Sequence, residues 1–78
     1  MYYIYLGFND IIQKDLIYNI ILKYFKNFSA YKVDGFYNGY KIKAIKIDIY
    51  TEDWKSIYLL YKELKDKLNQ KEILIIHN

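Results

Sequence analysis

Residues 2–8, Tyr-Tyr-Ile-Tyr-Leu-Gly-Phe, alternate with period two: Ile4, Leu6 and Phe8 fall on one side, Tyr3, Tyr5 and Gly7 on the other. That pattern predicts a strand with two unlike faces. Asn9 and Asp10 then offer helix caps, and Gln13 stands three residues after Asp10, the spacing of a capping box. From Ile11 to about Lys26 the period becomes helical. Ile17, Ile20, Ile21, Tyr24, Phe25 and Phe28 recur on one side, with Lys14, Asp15, Asn19, Lys23 and Lys26 on the wetter one.

Tyr37-Asn38-Gly39-Tyr40 predicts a tight hairpin, because a type I′ turn needs positive φ at both central residues. It joins a strand near 29–37 to one near 40–50. In the second of these, Ile45, Ile47 and Ile49 form one face, and Ala44, Lys46, Asp48 and Tyr50 the other. The apolar phase slips between Ile42 and Ile45, and Gly35 falls opposite Ile42, so a bulge or strong twist is expected there. Asp34-Gly35 is a competing turn.

Thr51 is read as the cap of a second helix, with Glu52 and Asp53 in its first turn, where carboxylates complement the dipole. Ile57, Leu60, Tyr61, Leu64 and Leu68 make its inner stripe, and Glu63 can pair with Lys67. Asn69-Gln70 ends it, and Glu72-Ile73-Leu74-Ile75-Ile76-His77 reads as a last short strand, apolar on both sides. The order is βαββαβ in one domain, residues 1–78. Right-handed crossovers and one hairpin make the economical arrangement a ferredoxin-like split βαβ of the α+β class. Its four-stranded antiparallel sheet would run 4-1-3-2, with two helices on one face. The other face would carry Tyr3, Tyr5, Tyr31, Val33, Tyr37, Tyr40, Ile42, Ala44 and Lys46, plus either Ile73 and Ile75 or Leu74 and Ile76. Large exposed apolar patches mark interaction sites.

Composition narrows this reading. With 78 residues, folding buries roughly 60% of the chain's surface, which supports a marginal core. A 54% apolar share spread evenly along the chain argues against disorder. The absence of cysteine excludes disulfides and thiolate metal sites, and points to a cytoplasmic location. The first residues lack a basic segment and a small-residue cleavage site, so no signal peptide is read. No apolar run approaches the roughly 20 residues of a membrane span. Net charge is +3 and every basic residue is a lysine. Lysine is a point charge without arginine's planar fork, which equips the chain poorly for reading DNA sequence. A genome rich in A and T accounts for the bias towards Lys, Ile, Asn and Tyr.

Three stretches carry a resemblance: Tyr5-Leu6-Gly7-Phe8-Asn9-Asp10, Tyr31 to Gly39 (Tyr-Lys-Val-Asp-Gly-Phe-Tyr-Asn-Gly), and Leu68-Asn69-Gln70-Lys71-Glu72-Ile73. The chain resembles short ferredoxin-like proteins encoded by phages and plasmids of low-GC bacteria. The shared positions are caps and turns. The resemblance implies a mobile-element origin, and small proteins of that origin are often inhibitors of host machinery or defence complexes.

Candidate chemistry is sparse. The hydroxyl nucleophiles are Ser29, Ser56 and Thr51, and the one histidine is His77, near the end. Asp10 follows the first strand much as a metal-site aspartate does in metal-dependent nucleases of ferredoxin-like fold, but helix capping explains it without chemistry. No cofactor or metal is expected. The rival to protein binding is single-stranded RNA, stacked on Tyr3, Tyr5, Tyr31 and Tyr37 with Lys41, Lys43 and Lys46 near the phosphates, as in RNA-recognition-motif domains. The third strand, Lys43-Ala44-Ile45-Lys46-Ile47, is aliphatic where such domains carry aromatics. Tyrosines also suit protein interfaces. The expectation is a non-enzymatic, cytoplasmic protein-binding protein that forms a homodimer and occludes a host protein or defence complex, in the anti-CRISPR manner. Its interaction residues would be Tyr3, Tyr5, Tyr31, Val33, Tyr37, Tyr40 and Ile42, and no membrane partner is expected. Tyr18, Tyr58 and Leu59 on the helices are second candidates.

Overall fold

The computed structural model describes residues 1–8, 11–68 and 73–78. The elements run β1 (Tyr2–Gly7), α1 (Ile11–Tyr24), β2 (Ser29–Tyr37), β3 (Tyr40–Ile49), α2 (Trp54–Leu68) and β4 (Leu74–His77). The strands form one antiparallel sheet in the order β2-β3-β1-β4, which is the expected 4-1-3-2 read from its other edge. The chain is therefore an α+β domain of four antiparallel strands and two helices. Among the described residues no helix is long and apolar enough to cross a membrane.

The core follows from period two meeting period 3.6. Tyr2, Ile4 and Leu6 of β1 lie opposite Ile49, Ile47 and Ile45 of β3. All six are buried with Ile17, Ile20 and Ile21 of α1 and Ile57, Leu60, Leu64 and Leu68 of α2. Both helices thus pack on one face of the sheet. Ile4, Ile45 and Ile47 have no exposed surface at all, and burying such a side chain contributes roughly 1.5–3 kcal/mol. Tyr61, expected on the inner stripe, is only half-buried.

The hairpin closes as its turn residues dictate. Asn38 has φ 50° and Gly39 φ 80°, and Tyr37 pairs with Tyr40. The bulge expected near Gly35 does not form, and β2 and β3 stay in one unbroken register from Tyr37–Tyr40 to Ser29–Asp48. The apparent slip has another cause. Near Ile45 the helices cover one face, so the apolar residues point there. Towards the turn, Ile42, Val33 and Tyr37 turn to the opposite face, and Lys32, Asp34, Lys41 and Lys43 occupy the helix side. Gly35 makes room instead of bending the strand: a Cβ there would stand 3.0 Å from Ile42 Cγ1.

Two local expectations are corrected. The cap of α2 is Asp53, not Thr51. The Ser56 amide donates to Asp53 Oδ1 at 3.1 Å and the Ser56 hydroxyl to Oδ2 at 2.6 Å, while Thr51 Oγ1 accepts from the Asp53 amide. These bonds hold the Asp53 carboxyl below the usual range. The caps expected at Asn9 and Asp10, with Gln13, lie outside the described residues. Glu63 takes its hydrogen bonds from α1, with Lys67 contributing charge alone: Lys23 Nζ donates to it at 2.5 Å and the Tyr24 hydroxyl at 2.6 Å.

The bond from Lys23, then that from Tyr24, lowers the Glu63 pKa below its ordinary 4.5. A depressed carboxylate stabilises the fold above its unfolded value and loses that contribution as pH falls through the folded one. Thermal denaturation should show Tm falling on acidification below about pH 4.5, and Glu63→Gln should flatten the fall. Identical profiles for the two proteins would mean that this interhelical tie contributes nothing.

Candidate functional site

Strand pairing assembles the uncovered face in rows. Ile76, Tyr3, Asp48 and Ser29 cross the sheet in one row, and Leu74, Tyr5, Lys46 and Tyr31 in the next. Gly7, Ala44 and Val33 form the third, followed by Ile42 with Gly35 and Tyr40 with Tyr37. The choice left open for the last strand is resolved by this register. Leu74 and Ile76 face outward, while Ile73 and Ile75 pack against the core.

All seven expected interaction residues share this face. Tyr3, Tyr5 and Val33 are half-buried, Tyr31, Tyr37 and Ile42 exposed, and Tyr40, beside the turn, 77% exposed. The middle is a hollow of about 600 Å³ walled by Tyr5, Val33, Tyr37, Ile42 and Leu74. Its depth comes from missing side chains at Gly7 and Gly35 and the short one at Ala44.

The sequence reading missed the polar centre of the face. Lys46 Nζ lies 3.3 Å from Asp48 Oδ1, 4.7 Å from the Tyr3 ring centroid and 5.5 Å from that of Tyr31. Asp48 Oδ1 is buried and meets no hydrogen-bond donor in proper geometry among the described residues. The ammonium is what compensates its charge. Burial opposes the Lys46 charge, but the Asp48 carboxylate outweighs it by contact and by charge, with Tyr5 and Tyr3 adding to the effect, and the lysine pKa rises. Opposite charges two apart, Lys46 and Asp48, inside a tyrosine-rich strand pair were the available signal.

Other candidates disperse. Lys41 and Lys43 pair with Phe36 and Asp34 and lie on the helix side, away from the tyrosines. Only Lys46 shares their face. Asp34 and Asp48 occupy opposite faces of the hairpin. His77 stacks flat on Tyr2, with ring centroids 4.2 Å apart. Asp10 lies outside the described residues, and among those described no three His, Cys or acidic side chains converge. Tyr18 is not a surface residue: it packs partly buried against the core and beside Phe28. Tyr58 and Leu59 are exposed, as expected.

No protein-family model matches this chain, and no curated protein matches it.

The Lys46–Asp48 pair makes a direct prediction. Lys46→Met strands a mostly buried carboxylate and should lower the urea midpoint, whereas adding Asp48→Asn removes the uncompensated charge and should restore part of the loss. A double variant less stable than the single would contradict that reading of the pair.

Proposed function

We propose that this chain is a non-enzymatic binding protein of ferredoxin-like fold whose open sheet face closes on a second copy of itself. The strand order, one hairpin and two helices on one face support the fold assignment. The observation that carries the dimer is the charge state of the face. Among the described residues its two ionic groups, Lys46 and Asp48, neutralise each other, and the rest is aromatic, aliphatic or small. Such a face asks no complementary charge of its partner, and a two-fold contact brings the same patch from both sides.

The size is adequate. Strands of nine, ten, six and four residues project to roughly 460 Å² at a spacing of about 4.8 Å and a rise of about 3.3 Å. Side-chain relief raises this towards the about 800 Å² per partner of a standard interface. The rim tyrosines Tyr37 and Tyr40 of one copy then face the hollow of the other.

The dimer acts by covering a surface of a host protein with its edges and helices, where Trp54, Tyr58 and Leu59 are exposed. The assignment to phage or plasmid inhibitors of host defence, working in the host cytoplasm, rests on the sequence resemblance alone. RNA on the tyrosine face is the weaker reading. Lys46 already lies over two of the rings and is committed to Asp48, and the other hairpin lysines are on the opposite side.

Native mass spectrometry at near-physiological salt should give twice 9.6 kDa. Tyr37→Asp with Ile42→Asp, both at exposed positions, should reduce it to the monomer mass while the circular dichroism of the fold persists. A wild-type monomer across micromolar concentrations would overturn the dimer.

A further inference from the structure

The turn from apolar to basic on the helix side of the hairpin leaves a second concavity, which shares Val33, Asp34, Ile42 and Ala44 with the hollow of the tyrosine face. Lys14 of α1, Lys32 of β2, and Lys41 and Lys43 of β3 line a groove of about 600 Å³, within the range of small-ligand sites. Phe8 closes its inner end, its amide donating to the Lys43 carbonyl at 3.1 Å. Among the described residues Asp34 is the one carboxylate lining it, and it lies 3.5 Å from Lys41 in a mostly exposed pair. These five charges sum to +3, the formal net charge of the whole chain, leaving eight lysines and eight carboxylates to cancel elsewhere. Among the described residues the lining of this groove is strongly cationic. Low-dielectric walls focus such a field on an anion.

We propose that this groove binds the phosphate backbone of single-stranded nucleic acid without sequence preference. Lys41 and Lys43 alternate on one strand, about 6.8 Å apart, a spacing that follows successive phosphates of an extended chain. Lysine serves phosphate as a point charge and needs no bidentate geometry. Phe36, which also borders the hollow of the tyrosine face, stands opposite Lys41 and is 69% exposed. An unburied ring beside a cationic track is the arrangement that stacks a base. An acidic peptide leaves the Phe36 ring without a planar partner. Lys32, Lys41 and Lys43 lie on the side of the hairpin opposite the tyrosine face, so each copy in a dimer keeps its own cationic track.

Fluorescence anisotropy with a labelled oligouridylate of about ten nucleotides tests this, with titrations at about 50 and about 200 mM salt. Four lysine–phosphate contacts give a log–log salt slope of about −2.8, a loss of roughly 50-fold over that range. Lys41→Gln with Lys43→Gln, both exposed, should halve the slope and cut the loss to roughly 7-fold. Phe36→Ala should weaken binding by a similar factor at both salts. Three results would overturn the proposal: no binding at the lower salt, binding indifferent to the lysine variant, or binding lost in Tyr5→Ala and Tyr37→Ala but kept in the lysine variant. The native mass of the lysine variant separates this outcome from the dimer, since these residues lie off the tyrosine face.

Discussion

Two helices can cover only one face of a four-stranded sheet, and here they cover only part of it. Everything distinctive in this chain follows from that geometric shortfall. Where α1 and α2 lie over β1 and β3, the sheet turns its isoleucines towards them, and the core is dry and continuous. Beyond the helices, towards Asn38 and Gly39, there is nothing to bury against on that side. The alternation of β2 and β3 is unbroken, but the apolar residues now occupy the other set of positions. One register therefore serves two environments, and the hairpin carries apolar residues on one face and lysines on its reverse.

That inversion separates the two candidate functions in space. The open face gathers tyrosines, aliphatics and small residues around a self-neutralised ion pair, so its energetics are those of apolar burial. Burying the Lys46–Asp48 pair beneath a partner adds little net stabilisation, since desolvation offsets the Coulomb attraction. The lysine groove obeys the opposite rule: its charges remain solvated and their effect is screened by salt.

Much of this architecture was legible in the chain, for physical reasons that can be named. Asn38-Gly39 determined the hairpin, since few dipeptides tolerate positive φ twice, and the Ile45-Ile47-Ile49 alternation located the core face. The seven interaction residues share one face because period two leaves no alternative once Ile4 and Ile47 are inside. What failed was inference that required knowing where the helix layer ends. The polarity reversal at Ile42 suggests a bulge or strong twist from sequence alone, and Lys41 and Lys43 read as neighbours of the tyrosines, whereas of the β3 lysines Lys46 alone shares their face. The helix cap lies with Asp53 and not Thr51, two good capping residues, because the helix begins at Trp54 and the Ser56 amide bonds to Asp53. Glu63 was paired within its own helix because sequence spacing shows Lys67 and hides Lys23.

The central claim is that the uncovered sheet face is where this protein meets its own copy. Amide spectra of the isotope-labelled chain, recorded over a dilution series, test it most directly. The account predicts concentration-dependent shifts confined to the open-face residues, with Tyr5, Gly7, Val33, Gly35, Ile42 and Ala44 moving together along one dissociation curve. Shifts gathered on α1 and α2 with these six unchanged would contradict it.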